Sequence, residues 1–182
     1  RVVEQLHWGG GTPTFMSNDQ MRALMTETRK QFRFAGDEQG EFSIEIDPRE
    51  AKGDTIALLR EIGFNRMSLG VQDFDPRVQK AVNRLQSEEE TFAVLEAARA
   101  EGFRSISIDL IYGLPLQTAE SFMDTVDRII AVGPDRLSVF NYAHLPARFM
   151  PQRRIDEDKL PPPEVKLEIL EATTKRLTEA GW

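Results

Sequence analysis

The chain has 182 residues, 40% hydrophobic and 29% charged, with a formal net charge of −7. That length supports one soluble domain with a sizeable core, and no apolar run approaches the roughly 20 residues that span a bilayer. The acidic balance, with no long basic run and no interleaving of aromatic with basic residues, argues against a nucleic-acid partner. There is no cysteine, so disulfides, thiolate nucleophiles and thiolate-held clusters are excluded within these residues. The opening Arg1-Val2-Val3-Glu4-Gln5 lacks the charged-then-apolar organisation of a signal peptide, and the expected location is the cytoplasm.

In chain order, short β-rich runs alternate with amphipathic helical runs. Gln5–Trp8 reads as a strand, followed at once by Gly9-Gly10-Gly11-Thr12-Pro13-Thr14. Ser17-Asn18-Asp19-Gln20 has the form of a capping box, a serine with glutamine three residues later, and opens a helix. Phe42–Ile46 is the next strand. Asp54 is expected to cap a helix over Thr55–Ile62 that stops at Gly63, before a strand over Arg66–Val71. Ser87-Glu88-Glu89-Glu90 repeats the capping pattern and opens a helix with Phe92, Leu95 and Ala98 on its apolar side, stopping near Gly102. Ser105–Ile111 is the fourth strand. Thr118 caps a helix that ends near Gly133-Pro134, and Arg136–Asn141 is the fifth strand. Pro161-Pro162-Pro163 precedes a last helix with Val165, Ile169, Leu170 and Leu177 on one side, ending at Gly181.

A weak repeat runs through these elements. Glu61-Ile62-Gly63-Phe64, Glu101-Gly102-Phe103 and Glu179-Ala180-Gly181-Trp182 share one device: helix end, glycine turn, aromatic entry to the next strand. Ser43, Ser68, Ser107 and Ser138 each fall inside a strand. Units of about 25 to 40 residues suit the βα repeats of a parallel sheet, so the expected fold class is α/β. An open doubly wound sheet and a closed or partial barrel both satisfy the pattern, and polar residues at successive strand carboxyl ends favour the barrel. Both ends fall where a core element begins, at Arg1 and at Trp182, so the expectation is a piece of a longer protein.

The glycine run after the first strand reads either as a tight βα turn or as a loop that lets a ligand approach bare backbone. It is neither G-x-x-x-x-G-K-[ST] nor G-x-G-x-x-G, so nucleotide phosphate is not its natural ligand. Glu45 and Asp47 close one strand, and Gln72 and Asp73 another. Asp109 interrupts the apolar run Ile106 to Ile111. A carboxylate there is costly to bury unless it is paired, with Arg66 or Arg104 as candidates, or faces a site. Arg84 reads by itself as a helix-surface arginine. His7 and His144 are the only histidines; two histidines without cysteine make a zinc site improbable, and neither has a catalytic role unaided.

Taken together, Gly9–Thr14, Ile44-Glu45-Ile46-Asp47-Pro48, Gly70-Val71-Gln72-Asp73-Phe74, Asn83-Arg84, Ile108–Pro115 and Phe140–Pro146 resemble, in order and spacing, the radical S-adenosylmethionine superfamily. The similarity is to its oxygen-independent coproporphyrinogen III oxidase branch, over nearly the whole chain. The resemblance implies a partial TIM-like (β/α)6 barrel of which residues 1–182 supply about strands two to six. It implies that Gly10, Gly11 and Thr12 hold the methionine end of S-adenosylmethionine. Glu45, Gln72, Arg84 and Asp109 then bind its amino, carboxylate and ribose groups, with Ala143 near the adenine. It implies a 4Fe–4S cluster held by a C-x-x-x-C-x-x-C motif on a first strand that is not in these residues, so no metal ligand and no catalytic residue is expected within them. The implied reaction is oxidative decarboxylation of two propionates of coproporphyrinogen III, giving protoporphyrinogen IX through a 5′-deoxyadenosyl radical, with an electron donor and acceptor that the sequence does not name. Arg148, Arg153 and Arg154, just beyond the last expected strand, are candidates for pairing with the substrate's carboxylates; the bland alternative is a solvated basic loop. The competing readings are a haem-chaperone-like member of the same superfamily and a non-catalytic βα module whose glycine loop holds another small molecule.

Overall fold

Period-2 runs become strands and capped runs become helices in the computed structural model, which describes residues 1–51 and 53–182. The order is β1 (Val2–Val3), β2 (Gln5–Trp8), α1 (Asn18–Gln31), β3 (Arg33–Phe34), β4 (Glu41–Ile46), α2 (Gly53–Glu61), β5 (Arg66–Gln72), α3 (Pro76–Ala81), α4 (Glu88–Ala100), β6 (Ser105–Tyr112), α5 (Ala119–Val132), β7 (Arg136–Asn141) and α6 (Pro163–Glu179). Five strands form one sheet in the order β2-β4-β5-β6-β7, and β1 pairs with β3 in a two-residue ladder. By contacts the chain divides into two units, residues 1–70 with 89–108, and residues 71–88 with 109–182.

In the first unit β2, β4 and β5 run parallel, with His7 opposite Ser43 and Glu45 opposite Ser68. Alternation sorts the side chains by face. Phe42, Ile44, Ile46, Met67 and Leu69 are buried, as are Ile106 and Ile108 of β6. The helices contribute Met21 and Met25 of α1, Ile56 and Leu59 of α2, and Val94, Leu95 and Ala98 of α4 to the apolar core. The opposite strand face carries His7, Ser43, Glu45, Ser68 and Ser107, none of them buried. At the amino ends of the strands sits Asn65, with no exposed surface. Its Oδ1 accepts from the Phe42 amide at 2.9 Å, and its Nδ2 donates to the Asp37 and Gly40 carbonyls at 3.1 and 3.0 Å. Arg60 holds the Asp37 carboxylate with two bonds of 2.9 and 3.0 Å, and this keeps Asp37 below the ordinary carboxylate range.

In the second unit, α5 buries Phe122, Thr125, Val126 and Ile129, and α6 buries Ile169 and Thr173. The two helices pack together, and Arg176 Nε donates to Asp127 Oδ1 at 2.6 Å. The capping box at Ser17 forms as expected, and Thr118 forms one with Ser121. Gly63, Gly102 and Gly181 all have positive φ, so the repeated helix-end device is real, and Phe64 and Phe103 are buried behind it.

Several expectations shift. Asp54 lies in the first turn of α2 rather than before it, where a carboxylate still favours the helix amino end. Leu170 is 38% exposed; Thr173 takes the buried stripe because its hydroxyl is satisfied by the Ile169 carbonyl at 2.7 Å. The β1–β3 pair and α3 have no counterpart in the sequence reading, because two-residue strands and a six-residue helix are too short to show a period.

Candidate functional site

The glycine loop begins where β2 ends. Gly10 and Gly11 have φ of 81° and 64°, a left-handed backbone that glycine adopts without a side-chain penalty. The Gly10 amide donates to Glu45 Oε2 at 3.1 Å. His7 Nε2 lies 3.3 Å from Glu45 Oε1, and His7 Nδ1 lies 2.8 Å from Ser43 Oγ. With the proton on Nε2, His7 donates to Glu45 and accepts from Ser43. A Cβ at residue 9 would run into His7 Nε2 and stand 2.9 Å from the Glu45 carboxylate, so any side chain there would push the ends of these two side chains aside. The backbone of Gly10 and the Glu45 side chain are thereby joined. Thr12 is half-buried beside them in sequence and precedes the 3-10 turn Pro13–Phe15. His7, which the sequence reading sets aside, belongs to this cluster. The signal for it is period-2 spacing from Gly9, together with the parallel pairing that brings it opposite Ser43.

The second unit carries the other candidates. Gln72 ends β5 with φ of 70°, and the Asp73 amide donates across it to the Val71 carbonyl at 2.9 Å. Arg84 follows α3 and the left-handed Asn83, so it stands just past the turn that ends the helix and not on a helix surface. Its amide donates to the Gln79 carbonyl at 2.8 Å. Gln72, Asp73, Arg84 and Leu114 line one small cleft. Asp109 is half-buried in the middle of β6, between buried Ile108 and Leu110. The arginines considered as its partners have other bonds: Arg66 with Glu41 at 2.5 Å, and Arg104 with the Asp37 carbonyl at 2.5 Å. Ala143 is exposed in the loop after β7. Gln152 clamps that loop, donating to the Ala143 carbonyl at 3.0 Å and accepting from the Leu145 amide at 2.5 Å. Alongside, Tyr142 Oη is 2.9 Å from His144 Nδ1 and His144 Nε2 is 2.9 Å from Glu157; burial raises the Tyr142 phenol above its ordinary pKa.

Arg148, Arg153 and Arg154 are exposed. Arg153 Nε donates to the Pro146 carbonyl at 3.0 Å, which turns that side chain back onto its own loop. Among the described residues no group of three or more His, Cys, Asp or Glu has the geometry to hold a metal ion. No helix there is long and apolar enough to cross a membrane.

A βα-repeat chain with a glycine loop after a strand and polar residues along successive strands defines a class. The Radical SAM superfamily model matches residues 1–129, and the chain belongs to that superfamily. It is 63% identical over 182 residues to the oxygen-independent coproporphyrinogen III oxidase of Pseudomonas aeruginosa and 54% identical to that of Escherichia coli. These matches take in all of this chain and 40% and 39% of the relatives, so the chain spans about two fifths of their length. The solved structure of the Escherichia coli coproporphyrinogen III oxidase superposes with a TM-score of 0.95 at 54% identity, over 100% of this chain and 41% of the other. The fold is thus part of a radical SAM barrel, and the open doubly wound sheet is set aside.

Proposed function

We propose that this chain is the part of an oxygen-independent coproporphyrinogen III oxidase that holds S-adenosylmethionine. In this reading the full-length protein converts two propionates of coproporphyrinogen III to vinyl groups, giving protoporphyrinogen IX in anaerobic haem biosynthesis. The observation that carries the proposal is the bond from the Gly10 amide to Glu45 at 3.1 Å, which shapes an exposed glycine backbone next to a half-buried carboxylate. Bare backbone and an acid suit the amino and carboxylate end of an amino acid.

Gly10, Gly11 and Thr12 hold the methionine end, and Glu45 takes the amino group. Arg84 pairs with the carboxylate, Gln72 and Asp109 take the remaining polar groups including the ribose, and the backbone around Ala143 meets the adenine. Bound S-adenosylmethionine would supply hydrogen-atom abstraction from the propionate once it had taken one electron from the cluster. The residues of this chain fix its orientation toward the substrate, and that positioning is their catalytic contribution. A 4Fe–4S cluster held by thiolates has no ligand among these residues, because there is no cysteine. The chain alone is therefore inactive. Substrate charge is met locally: Arg148, Arg153 and Arg154 pair with propionates, although the chain is net acidic.

The test is anaerobic turnover by the full-length protein with coproporphyrinogen III and S-adenosylmethionine. Two molecules of carbon dioxide per tetrapyrrole are expected. The double change Arg153→Gln with Arg154→Gln is expected to raise KM for the tetrapyrrole and leave S-adenosylmethionine affinity intact. Tight haem binding with no decarboxylation would replace the proposal with the haem-chaperone reading.

A further inference from the structure

Gln72 is one of three residues other than glycine in this chain, among those described, with positive φ. With the Asp73 amide bonded to the Val71 carbonyl at 2.9 Å, it is the centre of a three-residue turn. A turn of that kind with φ near 70° is rare and strained, and it persists only where neighbouring structure enforces it. Three residues on, Asp75 has ordinary extended geometry and caps α3. The strain is therefore confined to the residue whose side chain the cofactor reading needs.

What enforces the turn is Asp73. It is 1% exposed, and each of its oxygens is engaged. Oδ1 accepts from Thr125 Oγ1 at 2.6 Å and from the Asp75 amide at 2.9 Å; Oδ2 accepts from Gln117 Nε2 at 2.5 Å. Its carbonyl accepts from Gln79 Nε2 at 2.9 Å. These partners lie on separate segments. Thr125 is on α5, and Gln117 follows β6, where it also accepts from the Leu114 amide at 2.8 Å and donates to the Ile111 carbonyl at 3.0 Å. Gln79 is on α3, where it grips both the amide and the carbonyl of Gln86 at 3.0 and 2.8 Å, just past Arg84. One buried carboxylate thus ties together the exit of β5, the exit of β6, the start of α3 and the body of α5. Burial holds this carboxyl above the ordinary carboxylate range despite its donors, a cost that a purely apolar packing solution would avoid.

We infer that Asp73 is a positioning residue that holds Gln72 in its left-handed turn and so presents the Gln72 side chain, and with it the Arg84 segment, to S-adenosylmethionine. The inference rests on the reading of Gln72 as a cofactor residue and adds to it the group that sets its geometry.

The experiment uses the full-length protein with its cluster reconstituted, and reads equilibrium binding of S-adenosylmethionine beside thermal unfolding. Gln72→Ala establishes whether residue 72 meets the cofactor. Asp73→Asn keeps the shape but sets an amide against the Gln117 amide. It is expected to weaken cofactor binding about tenfold, the scale of one well-placed hydrogen bond. Adding Gln117→Glu exchanges carboxyl and amide across the same contact: in its protonated form the new carboxyl keeps a donor for the Ile111 carbonyl and an acceptor for the amide at 73, and the double variant, assayed below neutral pH, is expected to recover to within about threefold. A structural role alone would change the unfolding midpoint without this loss and recovery of affinity. If Asp73→Asn does not fold, Thr125→Val removes one donor to Asp73, together with the acceptor of the Phe74 amide, and is expected to weaken binding by about threefold. The inference is overturned if Gln72→Ala weakens binding while Asp73→Asn, or Thr125→Val in its place, leaves it unchanged. It is overturned too if the folded double variant shows no recovery. If Gln72→Ala itself binds normally, it is the cofactor reading of Gln72 that fails.

Discussion

A single methyl group at residue 9 tests whether the glycine loop and Glu45 act as one site. In Gly9→Ala the new carbon must displace His7 and the Glu45 carboxylate, which stands 2.9 Å away, while residue 9 itself is exposed. The expected outcome in the full-length protein is about tenfold weaker S-adenosylmethionine binding, the loss of roughly one good polar contact. Little change in unfolding midpoint should accompany it. Unchanged binding would take Glu45 out of the cofactor site. Two other acids set opposite pH dependences. Arg60 lowers the pKa of Asp37, so its stabilisation is present above the ordinary carboxylate pKa and is lost as pH falls through the lowered value. Burial raises that of Asp73, so its contribution is full below the ordinary pKa and is lost as pH rises through the raised one. Urea unfolding of the chain between about pH 3 and 7 should show a shallower acid loss in Asp37→Asn, and in Asp73→Asn a shallower decline above the usual carboxylate range. Parallel profiles for both variants would contradict these assignments.

At the scale of elements, residues at the amino ends of the strands bear on stability. Asn65 stands between α2 and β5 and satisfies three backbone groups of the β3–β4 connection and β4 at once. Removing its amide leaves buried backbone groups without partners, each at about 1–3 kcal/mol. Asn65→Ala is therefore expected to destabilise the chain by roughly 3 kcal/mol, measured by urea unfolding, without altering cofactor affinity in folded full-length protein. A loss below about 1 kcal/mol would mean that water replaces the amide. The helix starts behave differently. Ser17 and Thr118 each close a local capping box that needs no distant partner, and loss of either costs only about 1 kcal/mol.

For the whole molecule, the missing thiols decide what this chain does by itself. Zero cysteines among 182 residues leave a cluster of iron and sulfide without the thiolates that hold it. Anaerobic reconstitution is expected to leave this chain without cluster absorbance, and without turnover of coproporphyrinogen III. A stable stoichiometric 4Fe–4S cluster on these residues would overturn that. The same residues carry the cofactor-facing loop and strands of the proposal, under which binding determinants and redox determinants would lie on different stretches of the full-length protein.

Local signals in the sequence were enough to determine the alternation of strands and helices, five strands of the main sheet and the capping box at Ser17. Each rests on residues a few positions apart: a hydrophobic period, a serine with glutamine three later, a glycine before an aromatic. Family motifs marked Gly10, Gly11, Thr12, Glu45, Gln72, Arg84, Asp109 and Ala143 as candidates. Only the tertiary structure decided that Gly10 is bonded to Glu45, that His7 joins them, that Arg84 leaves the helix, and that Asp73 is a buried anchor. The physical reason is separation along the chain. Asp73 meets Thr125 and Gln117 from 52 and 44 residues away, and Glu45 meets Gly10 from 35. No spacing rule connects such pairs; what joins them is a parallel sheet, whose helical crossovers return distant strands to each other's side.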